Sequence, residues 1–202
     1  MIVIGLTGNI ACGKSLISKM LQELGARVID ADKVAHQLMA PHTETWKRIV
    51  AEFGEGILTP ENNIDRVKLG SIVFTDSEAL AKLENIIHPG VSDYVEQAIR
   101  EGGAPAIVIE AIKLIEAGLH KRCDSVWVVT CRREQQIQRL MRDRHMSRQA
   151  ALVRLRAQSA PKEKIKFADV VIDNSGTPEY VWEQVKREWE RLFAKQAAEG
   201  TD

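Results

Sequence analysis

The sequence predicts a three-layer α/β fold, with helices on both faces of a parallel sheet, and three observations carry that prediction. The octapeptide Gly8 to Ser15, GNIACGKS, fits G-x-x-x-x-G-K-[ST] in full and sits between an apolar run and a helical pattern. A strand, a helix and a second strand fit into the first thirty or so residues, a βαβ unit whose crossover is expected to be right-handed. Three further apolar runs, at 106–110, 125–130 and 168–172, are separated by helical periodicity and bring the strands to five.

Taken in order, Ile2 to Leu6 is the buried first strand. In the loop that follows, Gly8 and Gly13 permit backbone angles closed to other residues, so consecutive N–H groups can turn inward around a phosphate. The helix from Lys14 to Leu24 places Ile17, Met20, Leu21 and Leu24 on one face and ends at Gly25. Its positive end points at the same phosphate site, Lys14 reaches the β- and γ-phosphates, and the Ser15 hydroxyl is a ligand for Mg²⁺. Arg27 to Asp30 is the second strand.

From Lys33 to about Gly102 the pattern is helical, interrupted at Pro41, at Gly54 to Asn63 and at His88-Pro89. So many helices between two strands form a subdomain able to receive a second substrate. Ala106 to Glu110 is strand three, followed by a short helix from Ile112 to Ala117; Ser125 to Thr130 is strand four and Ala168 to Ile172 strand five. Between the last two, Arg133 to Arg142 and Arg148 to Gln158 read as two helices of a hinged lid. Pro178 to Ala197 is a closing helix whose stripe of Val181, Val185, Trp189, Leu192 and Phe193 is core packing, and the last residues, from Ala197, are expected to fray.

At 202 residues the chain suits one domain with excursions: a core of 1–32, 103–132 and 167–202, an insertion at 33–102 and a lid at 133–166. No run approaches the roughly 18 to 20 apolar residues of a membrane span, and the first strand begins at once, so no signal peptide and a cytoplasmic location are expected. Cys12, Cys123 and Cys131 show neither disulfide nor zinc-ligand spacing. Lys plus Arg and Asp plus Glu both number 28, which gives no global reason to expect nucleic acid or an anionic membrane as partner. The distribution is uneven, however: Arg132 to Lys166 holds eleven bases against three acids. The chain carries no signal for an oligomeric state.

Phosphoryl transfer asks a protein to position an acceptor in line and to neutralise charge spreading over the transferred oxygens. Asp30 and Asp32 end strand two, where one carboxylate can take the acceptor's proton and the other hold a metal-bound water; the competing reading is an N-cap for the helix that begins near Lys33. Arg139, on the first lid helix one turn before Arg142, is placed to meet the transferring phosphate, and an arginine fork binds two oxygens at once. Any other single base of the lid reads as solvated. Glu110 either orders the Mg²⁺ shell or pairs with Lys113, His88 either contacts a ligand or caps a helix, and Cys12 is either redox-sensitive or a small residue that fits.

Together, the stretches IGLTGNIACGKS, LGARVIDADKVAHQL, FGEGIL, IDRVKLGSIVF, ALAKLENIIHPGV, EAGLHKRCDSVWVVTC, QRLM with RAQ behind it, and ADVVIDNSGT resemble the dephospho-coenzyme A kinases over nearly the full length. The resemblance implies a P-loop kinase fold like that of nucleoside monophosphate kinases, with a five-stranded parallel sheet, a helical coenzyme A-binding insertion and a lid. It implies transfer from ATP to the ribose 3′-hydroxyl of dephospho-coenzyme A, the last step of coenzyme A synthesis. ATP is then assigned Asn9, Ile10, Ala11, Cys12, Gly13, Lys14, Ser15 and Leu16, with Arg142, Arg144, Asn174 and Gly176; Asp32 matches the base and Arg139 the lid arginine; Arg66 and His88 fall on the acceptor side. Three departures stand out. Ala11 and Cys12 replace a usual Gly-Ser and Leu16 a common Thr; the run after strand three is Glu110 to Glu116, EAIKLIE, where an Asp followed by Pro-Leu-Leu-Phe-Glu is usual; and the lid turn reads Arg142, Asp143, Arg144, so either arginine can take the second lid role.

Two rivals bear on the same residues. A kinase of another nucleoside or nucleotide would need the same loop and lid, whereas a regulatory GTPase would need an Asn-Lys-x-Asp guanine-reading motif, which does not occur.

Overall fold

A computed structural model describes residues 1–199. The five strands, β1 (Ile2–Thr7), β2 (Arg27–Asp30), β3 (Ala106–Glu110), β4 (Ser125–Thr130) and β5 (Val170–Asp173), form one sheet in the order β2-β3-β1-β4-β5. The ladders of β1 with β3 and β4, and of β4 with β5, are parallel, with Leu6 opposite Glu110 and Thr130 opposite Asp173. Because the central strands are covered on both faces, they read as continuous apolar runs instead of alternating ones, and every residue of β1 is buried. β2 and β3 lie on one side of β1 and β4 and β5 on the other, so its carboxyl end is a topological switch point, the place where such sheets bind ligands.

The chain divides into two compact units, Met1–Ile29 with Gly103–Asp202 and Asp30–Gly102. In the first, α1 (Lys14–Glu23) and α9 (Pro178–Glu199) bury Ile17, Leu21, Val181 and Val185 with Ile4, Leu6, Val108, Trp127 and Ile172 of the sheet. Trp127 is fully enclosed, and its indole N–H is satisfied by Ser125 Oγ at 3.1 Å. The stripe of Trp189, Leu192 and Phe193 packs against this core as the periodicity predicts. Residues 197–199 are helical where fraying was expected; 200–202 lie outside the described residues.

The basic segment folds as α6 (Arg133–Arg144), α7 (Arg148–Arg156) and a short α8 (Pro161–Ile165) that periodicity does not reveal. Nor is every base in it solvated: Lys164 is 3% exposed and donates to Glu116 Oε1 at 2.7 Å and to the Ile112 carbonyl at 2.8 Å. That carbonyl also accepts from the Thr7 hydroxyl at 3.2 Å. With Ile112 O engaged outside the segment, 112–117 forms turns and not the expected short helix, followed by a 3₁₀ turn at Leu119–Arg122.

The second unit holds α2 (Ala31–Leu38), α3 (Glu44–Phe53), α4 (Arg66–Val73) and α5 (Ser77–Glu101) around Ile49, Ile57, Leu69, Val73 and Ile86. Each helix is opened by a side-chain cap, from Asp30, Thr43, Asp65 and Asp76 in turn, each cap contributing about 1 kcal/mol. The break expected at His88-Pro89 does not occur, and α5 is continuous through Pro89. Proline costs the helix one hydrogen bond, but Ile86, Val91, Val95 and Ala98 are buried along its length and packing outweighs the local preference. No helix among the described residues is long and apolar enough to cross a membrane.

Candidate active site

The loop from Gly8 to Ser15 joins the carboxyl end of β1 to α1, the context that its sequence pattern requires. Both glycines are obligatory. Gly8 has φ +153° and Gly13 φ +100°; a β-carbon on Gly8 would strike the Val129 carbonyl, and one on Gly13 would overlap the Asn174 side-chain amide. Lys14 Nζ lies back on the Gly8 carbonyl at 3.2 Å, and Ser15, in the first turn of α1, is exposed. One turn further along α1, the Ser18 hydroxyl donates to Glu110 at 2.5 Å, which holds that carboxylate beside the helix.

Ala11 is the loop's costly residue. Its φ is +57°, a left-handed conformation that a β-carbon disfavours by roughly 1–2 kcal/mol, and this gives the glycine usual at this position a physical reason. Ala11→Gly should raise stability by about 0.5–1 kcal/mol after the loss to unfolded-state entropy, or a melting midpoint roughly 2 °C higher. An unchanged or lower midpoint in calorimetry would show that the loop is not strained there.

The loop's carbonyls are braced from the other side of the site. Arg139 donates to Ala11 O at 3.1 Å, to Cys12 O at 3.0 Å and to Asn174 O at 3.2 Å, and Asn174 Nδ2 donates to Cys12 O at 2.8 Å. Arg139 is thus not a free finger but a strut on the P-loop, and the Asn174 amide faces the loop. Gly176 lies under Tyr180, and Ser175 is tied to the start of α6 through Arg132 N and Gln135. Arg142 is held bidentate by Asp143, at 2.6 and 3.1 Å, and is exposed, as is Arg144 on the same last turn of α6.

Burial pushes the Cys12 thiol up, outweighing the opposing pull of Lys14, its N–H and Arg139. Burial likewise raises Cys131 to about 11 and Cys123 to about 12. The helix end that favours a thiolate at Cys12 loses to desolvation, so the structure favours the small residue that fits over a redox sensor. All three thiols should react slowly with a disulfide reagent at pH 8 and quickly once the protein is denatured; a fast-reacting thiol in the folded chain, mapped to Cys12, would reverse that reading.

In the helical unit the carboxylate pair separates into two roles. Asp30 is the N-cap of α2, accepting from Lys33 N at 3.0 Å, with the Lys33 ammonium on its second oxygen. Asp32 is not extended beside it, as strand geometry would require, but lies exposed in the first helical turn. One turn on stands His36, which sequence reasoning missed although the i, i+4 spacing from Asp32 was legible. Partial desolvation and the neighbouring Arg66 guanidinium hold its imidazole below the usual range, against the pull of Asp32 and Asp30. Asp32, His36 and Arg66 therefore share one electrostatic neighbourhood, while His88 sits half-buried in the middle of α5.

A phosphate loop at the switch point of a parallel five-stranded sheet, with a lysine and a serine at its helical end and a basic helical segment behind it, defines a P-loop kinase. The family model for dephospho-CoA kinase matches residues 2–179. A dephospho-CoA kinase of Geobacter sulfurreducens is 47% identical over 95% of this chain and 98% of its own length. Among solved structures, a Thermus thermophilus protein superposes with a TM-score of 0.79 at 31% identity, covering 96% and 97% of the two chains. Dephospho-CoA kinase from Campylobacter jejuni superposes at 0.66 with 29% identity, covering 94% and 96%. The chain belongs to the dephospho-CoA kinase family.

Proposed function

We propose that this protein transfers the γ-phosphoryl group of ATP to the ribose 3′-hydroxyl of dephospho-coenzyme A, giving coenzyme A and ADP in the last step of coenzyme A synthesis. The observation that carries the reading is the braced loop at 8–15, with Lys14 and Ser15 at its helical end, in a chain that a single family model spans almost completely. The triphosphate lies along Asn9 to Leu16, with Lys14 on the β/γ oxygens, and Arg142, Arg144 and the Asn174 to Gly176 turn serve the nucleotide. The exposed Ser15 hydroxyl, with Glu110 held by Ser18 one turn along, suits a Mg²⁺ ion bound mainly through phosphates. When bound, the ion neutralises charge on the β- and γ-phosphate oxygens.

Arg66 and His88 serve the acceptor, and Asp32 takes the proton of the 3′-hydroxyl as its oxygen attacks the γ-phosphorus. The bond from that phosphorus to the β–γ bridging oxygen breaks, and ADP leaves. Arg139 keeps the loop in register and directs its remaining N–H groups to the transferred oxygens. We place the enzyme in the cytoplasm, where its donor ATP is available. The test supplies the purified protein with ATP, Mg²⁺ and dephospho-coenzyme A beside AMP, GMP, uridine and cytidine and follows ADP release. Turnover with dephospho-coenzyme A alone is expected; turnover only with a nucleoside or a monophosphate would sink the assignment.

A further inference from the structure

Neither the loop pattern nor the lid arginine accounts for the treatment of Ile10. Both of its backbone polar groups are claimed by side-chain amides from one segment: Ile10 N donates to Gln158 Oε1 at 2.8 Å, and Gln136 Nε2 donates to Ile10 O at 2.8 Å. Its side chain, 5% exposed, packs with Ile137, Leu140 and Ala151 of α6 and α7. The neighbouring Asn9 amide donates to Ser159 O at 2.9 Å. A peptide in a phosphate loop is expected to turn its N–H to the anion, and here that N–H points instead at the base of the lid.

We propose that Gln136 and Gln158 are positioning residues that clamp Ile10 from opposite sides and thereby set the cradle formed by Ala11 to Ser15 around the phosphates of ATP, a role that rests on ATP being the donor. The clamp is polar in a defined sense. Gln136, 7% exposed, must donate, and Gln158 must accept. With Ile10 fixed, Ala11 is held in its left-handed conformation, and the Gly13 carbonyl that opens α1, accepting from Leu16 N at 3.0 Å, follows two residues on. The segment from Gln136 to Ser159 cannot shift without moving the loop.

Glutamate makes the test, because it accepts but does not donate. Gln158→Glu keeps its bond to Ile10 N, whereas Gln136→Glu sets a carboxylate against the Ile10 carbonyl, and both add the same charge. In the full chain, a non-hydrolysable ATP analogue with Mg²⁺ should bind Gln136→Glu at least about tenfold more weakly than Gln158→Glu. The loss should appear in KM for ATP and not in KM for dephospho-coenzyme A, a split that general destabilisation does not produce. Should Gln136→Glu not fold, the half-buried Gln158 carries the test: Gln158→Leu should bind the analogue about tenfold more weakly than Gln158→Glu and exchange its Ile10 amide hydrogen faster. Analogue affinities within twofold of each other in whichever pair is measured overturn the clamp alone. An analogue that fails to bind the unaltered protein overturns the ATP donor and the clamp with it.

Discussion

Lys14→Ala should lower kcat/KM by at least about 10³-fold, the order expected when a preorganised charge is removed from a transferring phosphoryl group, and should leave the thermal midpoint close to that of the parent. The two effects separate because of what the side chain touches. Among the described residues its hydrogen bond is to the Gly8 carbonyl at 3.2 Å, long for its type, and such a bond contributes no more than about 1 kcal/mol net. The loop does not depend on it, since Arg139 and Asn174 hold the carbonyls of Ala11 and Cys12 and Gln136 holds that of Ile10. Steady-state kinetics beside differential scanning calorimetry checks both halves. Full activity would remove Lys14 from the donor site, and a large fall in midpoint would make it a structural residue.

The parts of this molecule that were legible in its sequence are those fixed by local chemistry. The strands at Ile2, Ala106 and Ser125 announce themselves because burial on both faces confines their polar residues, Thr7, Glu110, Ser125 and Thr130, to the strand ends. The phosphate loop is legible because only glycine tolerates what surrounds positions 8 and 13. Where the outcome depends on residues far apart in the chain, the sequence misleads. The stretch after Glu110 reads as helix until Lys164, about fifty residues on, takes the Ile112 carbonyl. Pro89 reads as a break until the buried face of α5 is seen to run through it. Gln136 and Gln158 carry no motif at all, because their partner is a backbone group more than a hundred residues earlier and a peptide unit has no identity in a sequence. The resemblance marked RAQ, which ends at Gln158, and QRLM, which begins two residues after Gln136, without saying what the glutamines do.

The strand end at Asp30 supplies the second large effect. Asp32→Asn should lower kcat by roughly 10²-fold or more, the usual cost of losing a general base, which is a barrier higher by about 2.7 kcal/mol. The alternative, that Asp32 caps a helix, is removed by the geometry: the carboxylate that accepts from Lys33 N belongs to Asp30, and α2 begins one residue before Asp32. A matched control follows from the same observation. Asp30→Ala should cost about 1 kcal/mol of stability through the lost cap and leave kcat largely intact, whereas Asp32→Asn should do the reverse, because asparagine keeps the shape of the carboxylate but cannot take a proton at neutral pH. The pair reads each role against the other within a single turn of chain, by calorimetry and by steady-state kinetics with dephospho-coenzyme A saturating. Equal losses of kcat in the two variants would mean that the pair acts as one unit, and a loss confined to the melting midpoint of Asp32→Asn would return the base to an unassigned residue of the helical unit, with His36, one turn away and in the field of Arg66, the next to be replaced.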